Sequence, residues 1–162
     1  MPRVPLSNID GNIIQRAMGH RPEIRDEWNR LDAVIRFTGV LDPGLKEEVR
    51  RTLALGIGCQ FCSSLGDPDP GKRNRKTALA VAFAQTLFEN ISDLYGLDDE
   101  VFTVLRQEFT DPEVIELVCW TLFLVAEQGF GAVMKLPRAT SDELNEYVDW
   151  REQGIKAAAA AA

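Results

Sequence analysis

Helix-capping signals that recur at helix-sized intervals constrain the fold of this chain more than any other feature. Asp42-Pro43 places a carboxylate at the N-cap and a proline at the first helical position, which is typical of a helix start. Two capping boxes, each a threonine followed three residues later by a glutamate, occur at Thr110–Glu113 and Thr140–Glu143. No segment alternates apolar and polar residues as a half-buried strand would. The sequence therefore predicts an all-α protein.

Apolar periodicity and helix-breaking residues predict about seven to eight helices. The expected helices cover residues 13–18, 22 to near 39, 43 to the glycines at 56 and 58, a short segment with two cysteines, 77–91, 98–109, and two that start after Thr110 and Thr140. At 162 residues the chain is long enough for one domain with an ordinary core. We expect this single compact domain to span residues 1–156, followed by a low-complexity alanine tail at 157–162.

Composition and charge disfavour two classes of partner. The hydrophobic fraction is 45%, and the best membrane candidate, 114–125, is interrupted by Glu116 and followed by Glu127, so we expect no membrane span. The net charge of −7 disfavours nucleic acid, and the basic stretch 71–76 is flanked by acidic residues, as in a solvated loop or helix start. The N-terminus shows no apolar segment of signal-peptide length, which predicts a cytoplasmic protein.

The segment GIGCQFCSSLG at residues 56–66 carries two of the three cysteines. In a reducing compartment, a close pair such as Cys59-x-x-Cys62 is more often catalytic or metal-binding than a structural crosslink. Residues three apart share a helix face, so the two sulfurs can form a disulfide, and a cysteine at a helix start has its thiolate stabilised. Two inert, packed cysteines remain an alternative, because free cysteine is among the most buried residue types.

Glu47 is the candidate general base for this pair. It precedes Cys59 by 12 residues, which on one continuous helix is about 18 Å and roughly 120° away. A break at Gly56 and Gly58 would let the cysteine segment fold back towards the helix of Glu47. Burial among neighbouring apolar side chains (Leu45, Val49 and Leu53) would then raise the pKa of Glu47, so that its carboxylate could accept a proton from a thiol.

The remaining candidate ligands and bases give weaker signals. A structural zinc site requires four ligands, and only Cys119 and His20 are available to join the pair, at no recognisable spacing. We therefore predict no metal and no cofactor. Cys119 lies in an apolar run and is expected to be a packed small side chain, Phe61 is expected in the core, and His20 is expected to cap a helix or lie on the surface.

These residues resemble the carboxymuconolactone decarboxylase and alkylhydroperoxidase-D-like family. The resemblance extends from about Arg21 to Leu136, in HRPEIRDEW, VLDPGLKEEVRRTLALGIGCQFC and FTDPEVIELV. It implies an all-helical fold that assembles as a homo-oligomer, such as a trimer or hexamer. It also implies that Cys62 is the peroxidatic sulfur, Cys59 its resolving partner, and Glu47 the proton acceptor.

The chain departs from the family pattern at two positions. A histidine usually follows the second cysteine by four residues, where this chain has Gly66, and some members carry a histidine at the position of Phe61. Four residues are candidates to replace the missing proton relay, and no spacing selects among them: Glu116, Ser63, Ser64 and Asp67.

We therefore expect a cysteine-based peroxidase or thiol–disulfide oxidoreductase. Its partners would be a small hydroperoxide or disulfide as substrate and an external dithiol as electron donor. One alternative is a non-catalytic or redox-sensing helical oligomer of the same fold. Another is a lactone decarboxylase, which fits less well because that branch generally lacks the cysteine pair and the sequence shows no cluster of Arg and His for an acidic substrate.

Overall fold

The structure, a computed structural model, describes residues 1–161 and contains eight α-helices and no β-strand in that range. The helices are α1 (Ile13–Met18), α2 (Pro22–Phe37), α3 (Pro43–Ile57), α4 (Gln60–Ser64), α5 (Arg75–Glu89), α6 (Asp99–Leu105), α7 (Asp111–Val133) and α8 (Ser141–Ala161), with a 3₁₀ turn at Pro70–Lys72. The predicted all-α class and helix number are confirmed. The last residue of the expected alanine tail, 162, lies outside the described residues, and α8 continues through the rest of that tail.

The capping signals form the hydrogen bonds that their spacing predicts. Asp42 Oδ1 accepts from the backbone N–H of Leu45 at 3.0 Å, at the start of α3. The backbone N–H groups of Thr110 and Thr140 donate to the glutamate three residues on, at 2.8 and 2.9 Å. The helix expected at 98–109 is shorter than predicted, because it ends at Leu105 and the chain continues as turns up to the next cap.

Helices α3, α5 and α7 form the centre of the molecule, and two buried hydrogen bonds join α3 to α7. Trp120 Nε1 donates to the carbonyl of Lys46 at 3.0 Å, and Gln128 Nε2 donates to the carbonyl of Arg50 at 3.0 Å. Each bond satisfies a buried polar group, which would otherwise cost about 1–3 kcal/mol. The two bonds therefore fix α7 against the helix that carries Glu47.

Helix α7 is the one described helix whose length and apolar composition would suffice for a membrane span. Its buried face, which includes Leu117, Trp120 and Leu124, packs in the core of this fold. The expectation that Cys119 is packed is wrong: its side chain is exposed, between the exposed Ile115 and Leu122. Because the run is apolar on all sides, composition does not show which face is turned outwards.

Candidate thiol site and its cavity

The chain bends sharply between Glu47 and the cysteines, as the glycines predict. Helix α3 ends at Ile57, and Gly58 adopts a left-handed conformation with φ 79°, which residues with a side chain rarely adopt. Cys59 then caps the short helix α4, its sulfur accepting from the backbone N–H of Cys62 at 3.1 Å. The predicted break is confirmed, and α4 therefore packs beside α3 instead of extending it.

The two cysteines form a disulfide, with their Cα atoms 5.2 Å apart. Cys59 is fully buried, and a β-carbon built at Gly131 of α7 would lie 2.5 Å from its sulfur. Cys62 is 4% exposed and contributes to the wall of a cavity. The surrounding cluster is apolar and includes Phe61, which is buried as expected. The sulfur of Cys62 is thus the one a small molecule would meet first.

The cavity beside Cys62 has a volume of about 310 Å³. Helices α2, α4, α7 and α8 contribute most of its wall, together with Arg50 of α3. Its lining includes the aromatic side chains of Trp28, Phe61 and Trp150. Many of the lining side chains are polar or charged, but most of the cavity surface is apolar, as is usual in small-molecule sites. The cavity is large enough for a small organic substrate.

Glu47 lies behind the cavity wall, where three side chains bind its carboxylate. Arg50 donates to both oxygens at 2.9 Å, Arg51 donates at 2.9 Å and the Tyr147 hydroxyl donates at 2.8 Å. Burial alone would raise the pKa of Glu47, but the charge of Arg50 and the hydrogen bonds from Arg50, Tyr147 and Arg51 lower it to about 2. The predicted burial is confirmed and the predicted raised pKa is wrong, because the carboxylate lies among cations rather than apolar groups.

Arg50 connects Glu47 to the cysteine segment. Its Nη1 donates to the backbone carbonyl of Cys62 at 2.8 Å while its other nitrogens bind Glu47. Glu47 therefore reaches the cysteine segment through this guanidinium, and its oxygens make no hydrogen bond to either sulfur among the described residues. This position suits a residue that holds Arg50 in place.

Arg51 occupies the space beside Gly66, the position at which members of the resembled family usually carry a histidine. A β-carbon at residue 66 would lie 3.1 Å from Arg51 Nε, and Gly66 has φ 140°. The guanidinium next to this glycine is the one that donates to Glu47. The missing histidine is thus accompanied by an arginine that holds Glu47 ionised.

A second buried cation, Arg36 of α2, crosses the far wall of the cavity. It pairs with Asp32 at 2.7 Å, and its guanidinium lies 5.0 and 5.2 Å from the ring centres of Trp120 and Trp150. Its Nη1 donates to the Tyr147 hydroxyl at 3.3 Å. Two arginines therefore line the cavity, which the sequence did not reveal, and each is paired with a carboxylate.

Glu127 of α7 is the functional candidate that sequence reasoning missed. It lines the same cavity as Cys62 and is largely buried, and its Oε2 lies 3.4 Å from Arg36 Nη2. Burial and the nearby charge of Asp32 raise the pKa of Glu127 to about 7, although Arg36 and Arg50 act in the opposite direction. A charged residue within the apolar run of α7 was the available signal, since such residues are rarely buried without a partner.

Three of the four other suggested proton carriers have structural partners. Glu116 pairs with Lys46 and accepts from the backbone N–H of Val40 at 2.6 Å, so it anchors the loop before α3. The hydroxyls of Ser63 and Ser64 donate to backbone carbonyls. The cavity is lined by none of the four candidates: Glu116, Ser63, Ser64 and Asp67.

His20 and the remaining possible metal ligands lie apart from the thiol pair. His20 is exposed, as expected of a surface residue, and its Nε2 is 2.8 Å from the carbonyl of Pro5. In residues 1–161, no three or more His, Cys, Asp or Glu side chains are grouped to hold a metal ion. The chemistry at hand is that of two sulfurs, two arginines and the carboxylates around them.

Comparisons of the chain with protein-family models, curated proteins and solved structures gave no match. The family resemblance noted from the sequence therefore stays a prediction.

Proposed function

We propose that this protein is a cysteine-based peroxidase or thiol–disulfide oxidoreductase that acts through Cys62 and Cys59. The observation that supports this most is the position of the pair: the two cysteines are within disulfide distance, and only Cys62 also lines a cavity of substrate size. Redox-active thiols need this combination of a nearby partner and access for a reagent. The resemblance to alkylhydroperoxidase-D-like proteins supports the same roles.

The proposed cycle balances two electrons and two protons. The Cys62 thiolate attacks the outer oxygen of a small hydroperoxide, the O–O bond breaks, and an alcohol leaves as Cys62 becomes a sulfenic acid. The Cys59 thiol then attacks that sulfur, the disulfide forms, and water leaves. An external dithiol reduces the disulfide by exchange and is itself oxidised to a disulfide. The described form of the protein corresponds to the oxidised end of this cycle.

A cytoplasmic homo-oligomer, a trimer or a hexamer, belongs to the same proposal. Two exposed apolar side chains, Ile115 and Leu122, lie seven residues apart on one face of α7, which favours an apolar contact with another copy of the chain. Nucleic acid and membrane partners are not part of this proposal. The cations of the basic stretch support their exclusion, since Arg73 pairs with Glu48 and Lys76 with Glu113.

The second candidate function is a redox-sensing or non-catalytic helical oligomer. The apolar surroundings of the sulfurs favour it: Cys59 is fully buried, and its neighbours are side chains such as Ala17, Ala54 and Leu136. Buried cysteines in such surroundings tend to have a raised pKa and low reactivity. The two candidates differ in whether the protein turns over peroxide, because the disulfide could be reduced in either case.

Peroxide consumption by cysteine variants tests the proposed function. All variants carry Cys119→Ser, because the exposed third thiol would otherwise react with the probes. With cumene hydroperoxide and a dithiol donor, we expect Cys62→Ser to lose turnover. Cys59→Ser, reduced and then freed of dithiol, should consume one equivalent of peroxide and stop as a sulfenic acid that dimedone traps. Equal rates for Cys62→Ser and its parent would contradict catalysis, and a disulfide that reduces and reoxidises without turnover would favour the redox sensor.

A further inference from the structure

The carboxylates around the thiol cavity differ in how completely they are bound. Asp32 is held by two nitrogens of Arg36, at 2.9 and 2.7 Å. Glu143 caps α8 through Thr140 and accepts from the backbone N–H of Ile13 at 3.3 Å. Glu127 has only one polar contact among the described residues, the 3.4 Å approach to Arg36. Its carboxylate is therefore the buried one with the most capacity for a further hydrogen bond.

We propose that Glu127, rather than Glu47, accepts the thiol proton of Cys62 and returns it to the leaving oxygen in the cavity. This inference rests on the proposed thiol function. Its geometric basis is that Glu127 and Cys62 line one cavity, whereas Glu47 does not line it and has its oxygens bound by two arginines and a tyrosine. A molecule in this cavity can meet the sulfur and the Glu127 carboxylate together.

The charged groups that face Glu127 explain why it can exchange a proton near neutral pH. They come from each helix packed around the cavity: Asp32 and Arg36 of α2, Glu47 and Arg50 of α3, and Glu143, Glu146 and Tyr147 of α8. Burial and Asp32 raise the pKa of Glu127 to about 7, whereas the pKa of Glu47 falls to about 2. An acid–base group works best when its pKa lies near the working pH. Of these two glutamates, only Glu127 meets that condition.

The proton path is balanced within one reduction of peroxide. The Glu127 carboxylate takes the proton of the Cys62 thiol, and the resulting thiolate forms an S–O bond with the outer oxygen of the hydroperoxide. The O–O bond breaks, and the departing alkoxide takes the proton from the Glu127 carboxylic acid. The products are an alcohol, the sulfenic acid of Cys62 and the Glu127 carboxylate, so the residue is ready for the next cycle.

The pH dependence of thiol alkylation tests this inference separately from peroxidase activity. Reduced protein carrying Cys119→Ser is treated with iodoacetamide from pH 5 to 10, and mass spectrometry follows modification of Cys62. In the parent we expect a step in the rate near pH 7, as Glu127 becomes able to accept the proton. Glu127→Gln should lose this step and react only as the free thiol ionises, and its peroxide consumption should fall roughly 100-fold.

Three further variants make the result specific. Glu127→Asp keeps a shorter carboxylate and should retain a weakened step. Glu47→Gln should keep a step, moved to lower pH, because the charge of Glu47 helps to raise the pKa of Glu127 and that of Arg50 lowers it. Glu116→Gln changes another largely buried glutamate of the same helix, which pairs with Lys46 away from the cavity, and should keep the step near pH 7. Circular dichroism and urea titration check that each variant is folded.

The inference is overturned if the parent shows no step near pH 7, or if the step survives in folded Glu127→Gln. It is also overturned if Glu47→Gln alone removes the step, because the proton would then go to Glu47. Absence of peroxide turnover with an intact alkylation step, lost in Glu127→Gln, would instead count against the proposed function while supporting the proton transfer.

Discussion

Gly131 of α7 lies in direct contact with the disulfide through Cys59. A β-carbon at residue 131 would lie 2.5 Å from the Cys59 sulfur and 3.4 Å from that of Cys62. Real β-carbons do not come that close, so a larger residue must displace the sulfurs. The absent side chain of Gly131 thus provides the room in which the oxidised pair packs.

Gly131→Ala should therefore weaken the oxidised form more than the reduced form. Overpacking of this kind costs about 1–3 kcal/mol, and 1.4 kcal/mol corresponds to about a tenfold change in an equilibrium constant. We expect the thiol–disulfide equilibrium, measured in a dithiothreitol redox buffer, to shift roughly tenfold towards the thiols. Gly129→Ala is the matched control, because nothing lies within 4 Å of a β-carbon there. An equal shift of the thiol–disulfide equilibrium in both variants would contradict a specific role of the contact between residue 131 and the sulfurs.

Glu47→Gln should destabilise the protein at neutral pH. The substitution leaves the buried Arg50 without its paired charge, a change that costs about 3 kcal/mol or more. Because the folded pKa of Glu47 lies below its unfolded value, its stabilisation is present above about pH 4.5 and is lost as the pH falls towards 2. Urea titrations across this window should show a steep acid loss in the parent and a shallower one in the variant. Parallel curves would contradict the lowered pKa.

Glu127→Gln should have the opposite pH signature. The folded pKa of Glu127 lies above its unfolded value, so its carboxyl stays protonated in the fold while the unfolded chain ionises. The parent should therefore lose on the order of 3 kcal/mol of stability from this group as the pH rises from 4.5 to 7. Glu127→Gln lacks this loss, so its stability relative to the parent should increase over that range. If the difference in unfolding free energy between variant and parent were constant over this pH range, Glu127 would have an ordinary pKa in the folded protein.

Gly66→Ala should destabilise the protein by about 1–3 kcal/mol, because φ 140° is a conformation that side chains rarely adopt. The added β-carbon would also press on Arg51, 3.1 Å away. Gly71→Ala is the control, since it has an ordinary contact at 3.6 Å and no positive φ. Thermal unfolding of both variants gives the comparison.

For the same reason, Gly66→His should not introduce a working histidine relay. The new side chain would have to displace the arginine that binds Glu47. Peroxide consumption at or below that of the parent is expected, and a marked gain in a stable Gly66→His protein would contradict this account.

The sequence predicts well whatever depends on neighbours within one or two helical turns. The helix starts at Asp42, Thr110 and Thr140 follow local capping rules, and the turn at Gly58 follows from the freedom of glycine. The lowered pKa of Glu47 was also within reach, since arginines three and four residues later lie on the same helix face.

The composition of the cavity depends on contacts that the sequence does not encode locally. Tyr147 binds a carboxylate 100 residues earlier, and Arg36 reaches Glu127 across 91 positions. These contacts exist only because α2 and α8 pack on the same side of α3 and α7. A pattern search along one helix finds Glu47 and the cysteines, but it marks Glu127 only as a charge in an apolar run and not as a residue that shares a cavity with Cys62.

The hydroxyl of Tyr147 links α8 to the segment that carries the cysteines. It donates to Glu47, and Glu47 in turn steadies the guanidinium that holds the Cys62 carbonyl. Removing the chain from residue 147 onwards would therefore take away part of the cavity wall and weaken the hold on the cysteine segment. A polar helix about 80 residues from the cysteines in sequence thus helps to hold them in position.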